Sequence, residues 1–448
     1  MQAIPPQRVL VVGQGGREHA LCHTLHKSPY CKKLFCAPGN GGISQIATCL
    51  PIDMMDNMAI VDICHQHGIT FVIIGNDAPL ANGVVDALMA EGIDVFGPTQ
   101  AAARIESSKV FMKDMCAQAN VPTGQYQFFT NSGDAVTHVR RHGAPLVIKA
   151  DGLTMGKGVT PCATVNEAIE AIRQTMDLRT YGPGGTSVII EEFLEGEELS
   201  FFAILDGTGC IVPLTAAQDH KRAYDGDIGP NTGGMGAYSP VPWFTAAHQQ
   251  EVLAHIVIPI DAALRANNAP FCGFLYVGLM KTPSGFRVIE FNARFGDPEA
   301  QCILPRLTSD LLPLLWLAAK GQLAKASAPN FSPESCITVT MATKGYPGQV
   351  ENGSHVGGIS AAASLPGSLV FHAATCLTPE GIYTAHGGRV LNITGLGPTL
   401  DDAHYTAYQA VAKIDWPEGF YRHDIGHRAH NLEYSSPPTG SHAPRHSR

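Results

Sequence analysis

The chain of 448 residues has room for about two to four domains, so a single small module is excluded. Its 45% hydrophobic and 15% charged content, with a mean hydropathy of +0.03, excludes disorder, a membrane-embedded chain and low-complexity or collagen-like sequence. Thirty basic against 39 acidic residues leave a formal net charge of −9, which sets the surface against polyanions. No nucleic-acid partner is expected, and small anions must be drawn by local Lys and Arg clusters.

In chain order, Val9-Leu10-Val11-Val12 is an apolar, β-branched run ending in Gly13-Gln14-Gly15-Gly16, followed by a helix from Glu18 to His26 and a second strand from Lys33 to Ala37. Strand and helix candidates at 70–74, 83–90 and 94–96 continue the alternation, which predicts an α/β fold with a doubly wound, mostly parallel sheet at the N-terminus. A helical stretch from Ser107 to Ala119, broken near Pro122, precedes a buried strand from Pro145 to Lys149, a glycine-rich loop at 152–158 and a strand from Ser187 to Phe193. Between Asp219 and Pro240 a polar, glycine-dense stretch reads as a long loop whose composition favours ligand contact. Tyr276 to Lys281 and Phe286 to Asn292 flank the turn Thr282-Pro283-Ser284-Gly285 and form a β-hairpin. A helix from Leu311 to Leu323 and a Ser/Pro/Asn linker at 326–334 lead to strands at 336–341, 369–373 and 389–391 of a smaller C-terminal domain. From Tyr434 the Ser/Pro/Gly/His-rich ending has almost no large apolar groups and is expected to be a disordered tail.

Twelve cysteines scattered from Cys22 to Cys376, none spaced C-x-x-C, point to a reducing compartment rather than a disulfide framework. The opening MQAIPPQR lacks a secretory apolar core, and no run approaches the roughly 20 apolar residues of a spanning helix. A cytoplasmic protein without a membrane partner is expected.

The first glycine loop follows a strand and opens a helix, so it is either a phosphate-binding loop with Arg17 as partner or a tight turn. Glu18 stands where a dinucleotide fingerprint has its third glycine, which argues against a nicotinamide cofactor. The second loop, Lys149 to Val159, is not a P-loop, because its glycines are one residue too close and Gly158 stands where the metal-binding Ser or Thr belongs. It reads as a mobile lid with a charged lysine at the strand end, or as a solvated hairpin. The acidic run from Glu191 to Glu198 is either a solvated strand end or a nucleotide hinge. In the second case the Glu191 carboxylate accepts an exocyclic amine, the Leu194 amide donates to a ring nitrogen, and Glu198 meets ribose hydroxyls.

Strand periodicity in Val288-Ile289-Glu290-Phe291-Asn292 puts Glu290 and Asn292 on one face and turns Ile289 and Phe291 into a core. Two oxygen donors facing one way suit a hard cation that bridges substrate phosphates; a salt-bridged surface strand is the alternative. The histidines, including His19, His23 and His26 on one possible helix face, lack partners at metal-ligand spacing and read as surface or polar-core residues. No Gly-x-Ser-x-Gly elbow is present.

A strand-end lysine, a glycine lid, an acidic hinge and a Glu-x-Asn pair occur in the order used by ATP-grasp ligases. The strings Gly15-Gly16-Arg17-Glu18-His19-Ala20, Ala37-Pro38-Gly39-Asn40, Gln218 to Arg222, Gly229 to Pro240 and Arg294 to Glu299 closely resemble the phosphoribosylamine–glycine ligase family from about Val9 to Arg428. The resemblance implies a substrate-binding α/β domain at 1–107 and an ATP-grasp domain at 108–325 with a mobile lid subdomain at about 122–192. It also implies a small β-rich α+β C-terminal domain at 331–430, before the tail at 431–448. It implies ATP-dependent ligation of glycine to 5-phosphoribosylamine through a glycyl phosphate, in purine biosynthesis, with Mg²⁺ or Mn²⁺ and a monomeric chain. By the same resemblance Lys109, Lys149, Lys157, Gly156 and Gly158 hold ATP phosphates, while Glu191, Glu192, Leu194 and Glu198 grip the nucleoside. Glu290 and Asn292 bind the metal, and Arg294, Lys149 and Asp219 are catalytic, Arg294 holding the glycine carboxylate. Gly15, Gly16, Asp77, Asp219, Lys221, Asn231, Gly233 and Gly234 hold the amine substrate. Asn76-Asp77, Gln14 and Ala293 depart from the usual family pattern, Asp77 shortening a carboxylate near the amine pocket. The competing readings are an ATP-grasp ligase with another acid or amine and a non-catalytic ATP-sensing module.

Overall fold

Residues 4–154 and 158–429 are described in the computed structural model of the chain. The expected tail, and Gly156 and Lys157 of the expected lid, lie outside the described residues.

The N-terminal strands β1 (Gln7–Gly13), β2 (Cys31–Pro38), β3 (Thr48–Cys49), β4 (Phe71–Ile74) and β5 (Asp94–Phe96) form a parallel sheet in the order β3-β2-β1-β4-β5. Both faces are covered, which is why β1 reads as an unbroken apolar run. Val9 and Val11 pack with Ala20, Leu21 and Leu25 of the first helix, while Leu10 and Val12 pack with Ile60, Val61 and Leu88 on the other side. The strand order reverses between β1 and β4, so the loops after them, carrying Gly15 and Asp77, open into one crevice at the carboxyl edge.

A second sheet, entirely antiparallel, has the order β6-β9-β7-β8, with β6 (Tyr126–Phe129), β7 (Leu146–Ala150), β8 (Val159–Cys162) and β9 (Val188–Glu192). Helices Ser132–His142 and Val165–Ile172 cover one face through Ala135, Val139, Ala168 and Ile172, against Leu146, Ile148, Val188 and Ile190. Alternation along β7 and β9 then sends Val147, Lys149 and Glu191 to the opposite, cavity-lining face.

The largest sheet runs β16-β15-β10-β11-β14-β17-β21-β18, with β22 beside β17. Its strands are β10 (Glu197–Asp206), β11 (Ile211–Asp219), β14 (Gly236–Ser239), β15 (Cys272–Thr282), β16 (Gly285–Asn292), β17 (Ser335–Thr343), β18 (Ser368–His372), β21 (Arg389–Gly397) and β22 (Gly419–Phe420). The C-terminal strands are those expected of the smaller C-terminal domain. They continue the central sheet through antiparallel pairing of Gly236 to Ser239 with Val339 to Cys336. Two small hairpins complete the strands, β12 (Arg222–Tyr224) with β13 (Ile228–Asn231), and β19 (Thr375–Leu377) with β20 (Tyr383–Ala385).

The stretch after Asp219, expected as one long loop, thus holds the hairpin β12–β13 and the sheet strand β14. The hairpin projects from the sheet with mostly exposed residues and shows no buried alternation to betray it. The helix expected over 107–119 is Lys109–Gln118, and a separate helix, Gln100–Ser107, runs into it. Ser108 adopts an extended backbone between them and its hydroxyl caps the Phe111 amide at 3.2 Å, while the Asp151 carboxylate accepts the Lys109 amide at 2.7 Å. The helix expected to reach Leu323 stops at Ala319. Among the described residues no helix is long and apolar enough to cross a membrane.

A C-terminal arm at 422–428 returns to clamp the hairpin β12–β13. Arg422, fully buried, grips Asp424 with two parallel bonds of 2.7 and 2.8 Å and reaches Asp227 at 2.7 Å. Arg428, which bonds Asp227 at 2.8 Å, and Arg422 together hold Asp227 down at about 2, and Arg422 holds Asp424 well below the usual carboxylate range, although burial pushes both the other way. Arg422→Met is expected to cost about 3 kcal/mol, because the partly buried Asp424 loses its two-bonded counter-charge and Asp227 is left with Arg428 as its remaining guanidinium. Depressed carboxylates stabilise the folded chain above their ordinary value near about 4 and lose that contribution as pH falls below it. The gap between wild type and variant in denaturant unfolding should therefore narrow from pH 5 toward about pH 2.

Candidate active site

The crevice of the parallel sheet, the open face of the sheet β6-β9-β7-β8, the β15–β16 edge of the central sheet and the C-terminal segment enclose one cavity of about 1460 Å³. Single-ligand pockets run to roughly 1,000 Å³, so this one has room for more than one small molecule at a time.

On the β7–β9 side, the Glu191 carboxylate is buried between the ammonium groups of Lys113 and Lys149, whose side chains are equally withdrawn from solvent. Lys113 also donates to the Thr123 hydroxyl at 2.7 Å and the Gly124 carbonyl at 3.2 Å, and Lys149 to the Ile289 carbonyl at 3.0 Å. Burial drives the Lys113 ammonium below its ordinary value despite the Glu191 charge. One Glu191 oxygen faces the Lys113 ammonium and the other the Lys149 ammonium. Further along the hinge, Glu192, Phe193 and Leu194 also line the cavity.

Glu290 and Asn292 both line the cavity, as strand periodicity requires, but Ile289 does too. The expectation that Ile289 enters the core fails because β16 is bulged there: Gly278 pairs with Glu290 and Leu279 with Val288, leaving Ile289 without a partner on β15. The bulge aims the Ile289 carbonyl at Lys149. Burial pushes the Glu290 carboxyl up, yet Lys221, Lys109, Lys149 and Arg294 outweigh it and hold Glu290 below its ordinary value, ionised at neutral pH. An anionic carboxylate beside an amide oxygen is a hard-oxygen donor pair that fits Mg²⁺ or Mn²⁺. No group of three or more His, Cys, Asp or Glu arranged for a metal occurs among the described residues, so such an ion would draw its other ligands from phosphate oxygens and water.

Beside this pair, Arg294 forms an ion pair with Glu106 at 3.1 Å and donates to the Phe295 carbonyl at 3.1 Å. Its Nε is buried without a hydrogen-bond partner in the protein. Glu106 in turn accepts the Ala293 amide at 2.7 Å; burial pushes it up to about 7, with Arg294 opposing and Asp77 adding to the rise. Asp219 is likewise pushed up to about 7 by burial, against the pull of Lys221 and with Glu299 and Glu198 adding to the rise. Lys221 pairs with Glu198 at 2.7 Å. Asn231 reaches β8 through the Val159 carbonyl at 3.4 Å.

Of the residues expected at the site, Gly15, Asp77, Lys109, Lys149, Glu191, Glu192, Leu194, Glu198, Asp219, Lys221, Asn231, Gly233, Glu290, Asn292 and Arg294 line this cavity. Gly16, Gly158 and Gly234 do not. Gly16 packs against Gln301 and Asn392, Gly158 donates its amide to Thr154 at 2.9 Å, and Gly234 presses on Pro298, so all three serve backbone packing. The Gly15 amide is taken by the Glu18 carboxylate at 2.6 Å, which closes the first loop on itself. Sequence reasoning missed Glu106, Lys113, Arg389 and Arg428. Lys113 stands one helical turn after Lys109, a usable signal; the other three reach the site from segments with no local motif.

The chain matches the phosphoribosylglycinamide synthetase N domain over residues 7–106, its ATP-grasp (A) domain over 107–300 and its C domain over 336–428. It is 47% identical over 422 residues to the phosphoribosylamine–glycine ligase of Brucella melitensis biotype 1, covering 94% of this chain and 98% of that one. It is 48% identical over 419 residues to the chloroplastic phosphoribosylamine–glycine ligase of Arabidopsis thaliana, covering 92% of this chain and 78% of that one. The crystal structure of the Thermotoga maritima phosphoribosylamine–glycine ligase superposes with a TM-score of 0.80 at 29% identity, covering 94% of this chain and 100% of the other. A Campylobacter jejuni biotin carboxylase shares the fold, with a TM-score of 0.71 at 12% identity over 93% of each chain.

Glu191→Gln removes the one carboxylate that two buried lysines share. Its expected cost is about 3 kcal/mol in denaturant unfolding, together with a raised KM for nucleotide as Lys149 loses its fixed position. An unchanged unfolding midpoint would contradict the shared-carboxylate arrangement.

Proposed function

The chain belongs to the phosphoribosylglycinamide synthetase family, and from that membership we propose that its cavity joins glycine to 5-phosphoribosylamine, driven by ATP cleavage to ADP and phosphate. The product is glycinamide ribonucleotide, an intermediate of purine biosynthesis. The observation that carries the reading is the meeting, in one cavity, of the Glu290/Asn292 oxygen pair, the phosphate-suited Lys109 and Lys149, and Arg294 with its unpartnered Nε.

A glycine carboxylate is a poor acyl donor. One of its oxygens attacks the γ-phosphorus of ATP, the bond to ADP breaks, and glycyl phosphate forms. The amine of phosphoribosylamine then attacks the acyl carbon, the carbon–oxygen bond to phosphate breaks, and the nitrogen gives up a proton. No enzyme nucleophile takes part; catalysis is positioning plus neutralisation of developing charge. Lys109 and Lys149 hold the nucleotide phosphates, and the hinge at 192–194 holds the base. Arg294, braced by Glu106, holds the glycine carboxylate through its free Nε. Mg²⁺ or Mn²⁺ at Glu290 and Asn292 would supply Lewis-acid polarisation of the phosphoryl oxygens. Asp219, pushed up to about 7, is suited to receive the amine proton at neutral pH, with Lys221 and Asn231 beside it for the amine substrate. All twelve cysteines are free, in keeping with a reducing, cytoplasmic setting.

Labelled glycine, ATP and phosphoribosylamine generated in situ should yield labelled glycinamide ribonucleotide; ATP turnover without that product would reject the assignment. Glu290→Ala should abolish turnover while leaving the thermal midpoint nearly unchanged, since its role is placing charge rather than packing. As a base, Asp219 works only after losing its proton, so kcat/KM for phosphoribosylamine should rise with pH through about 7 and level off above it. Asp219→Asn should remove that rising limb and lower the plateau by about a hundredfold. If the limb survives in this variant, the acceptor is another group, and Glu106, also near 7, is the one to test.

A further inference from the structure

We propose that Arg389, at the start of β21 in the C-terminal segment, is a positioning residue that locks the Gly233–Gly234 turn to the Arg294–Glu299 segment and so sets the seat of the amine substrate. The inference rests on the ligase reading above for the identity of that substrate.

The guanidinium Nη1 donates to the Gly233 carbonyl at 2.6 Å and the Asp297 carbonyl at 2.8 Å, with the Gly234 carbonyl at 3.4 Å and the Asp297 carboxylate at 3.5 Å. The other backbone group of Gly233 is held by the same segment, its amide donating to the Tyr346 hydroxyl at 3.0 Å. A Cβ on residue 233 would stand 3.0 Å from the guanidinium carbon, so the planar cation lies directly on bare backbone. Within the turn itself, the Thr232 amide and hydroxyl both donate to the Lys221 carbonyl, at 2.8 and 2.9 Å, the Gly234 amide donates to the Thr232 hydroxyl at 3.0 Å, and the Met235 amide to the His220 carbonyl at 2.8 Å. They fix the base of the turn but leave Gly233 to the C-terminal segment.

Arg389 and Gly233 both line the cavity, and Asp297 follows Arg294 by three residues. One cation thus ties together two segments that reach the cavity from different parts of the sheet. Charge-assisted bonds in a mostly desolvated setting are strong, and here a single Nη1 meets carbonyls of both segments. Displacing a substrate-bearing turn by about 1 Å is enough to cost on the order of a hundredfold in rate.

The test uses the full chain with Arg389→Ala and the milder Tyr346→Phe, which removes only the hydroxyl that accepts the Gly233 amide. KM for phosphoribosylamine should rise about tenfold or more in Arg389→Ala and less in Tyr346→Phe, with KM for ATP unchanged. Added guanidinium ion, below denaturing concentration, should restore part of the loss in Arg389→Ala. Amide hydrogen exchange in peptides covering 231–236 should quicken in both variants while exchange elsewhere stays as in wild type. Equal rises in both KM values with a lowered thermal midpoint, or no rescue by guanidinium, would reduce Arg389 to a merely structural role and overturn the proposal. If wild type forms no glycinamide ribonucleotide, the ligase reading fails by itself. The exchange measurement still decides whether Arg389 holds the turn, and unchanged exchange at 231–236 overturns it.

Discussion

A carboxylate shared by two buried ammonium groups sits at the centre of this molecule. Glu191 cannot release Lys113 or Lys149 without leaving a desolvated charge uncompensated, so three segments far apart in sequence are fixed relative to one another. The same constraint recurs around the cavity. Arg294 is matched by Glu106, Lys221 by Glu198 and Arg389 by Asp297, each pair joining different elements. A cavity that must hold a polyphosphate needs cations facing inward, and inward-facing cations out of water need fixed counter-charges. The framework of ion pairs follows from that need.

The three sheets divide the work. The parallel sheet presents two loops at its point of reversal, the sheet β6-β9-β7-β8 offers a lysine-bearing face, and the central sheet supplies the oxygen pair on β16. Because β14 pairs with β17, the C-terminal segment is an extension of the central sheet and can bring Arg389 to the rim. The arm at 422–428 then closes over the hairpin β12–β13 and delivers Arg428 to the same rim.

Burial sorts the carboxylates into two kinds. Glu290 faces four cations and stays ionised, suited to holding a divalent ion. Asp219 and Glu106 meet more burial and more negative neighbours and sit near 7, where one can take up a proton and the other can brace a cation without a full opposing charge. Residue types alone cannot make this distinction, since all three are ordinary acids in the sequence.

Much of this was legible in the sequence. Unbroken apolar runs mark strands covered on both faces, as in β1, and the ordered motifs from Gly15 to Glu299 identify the family and most of the cavity-lining residues. Strand periodicity also put Glu290 and Asn292 on one face. What the periodicity missed is the bulge at Ile289, which depends on how β15 pairs with β16 and leaves no trace in either strand alone. The partners of Glu191, the joining of the C-terminal strands to the central sheet and the reach of Arg389 across to Gly233 are likewise contacts between residues dozens to more than a hundred positions apart. The sequence by itself determined the elements and the chemistry available, because local pattern records what each segment buries. Only the tertiary structure decided which charges meet, because pairing across a fold is set by distance in space and carries no period along the chain.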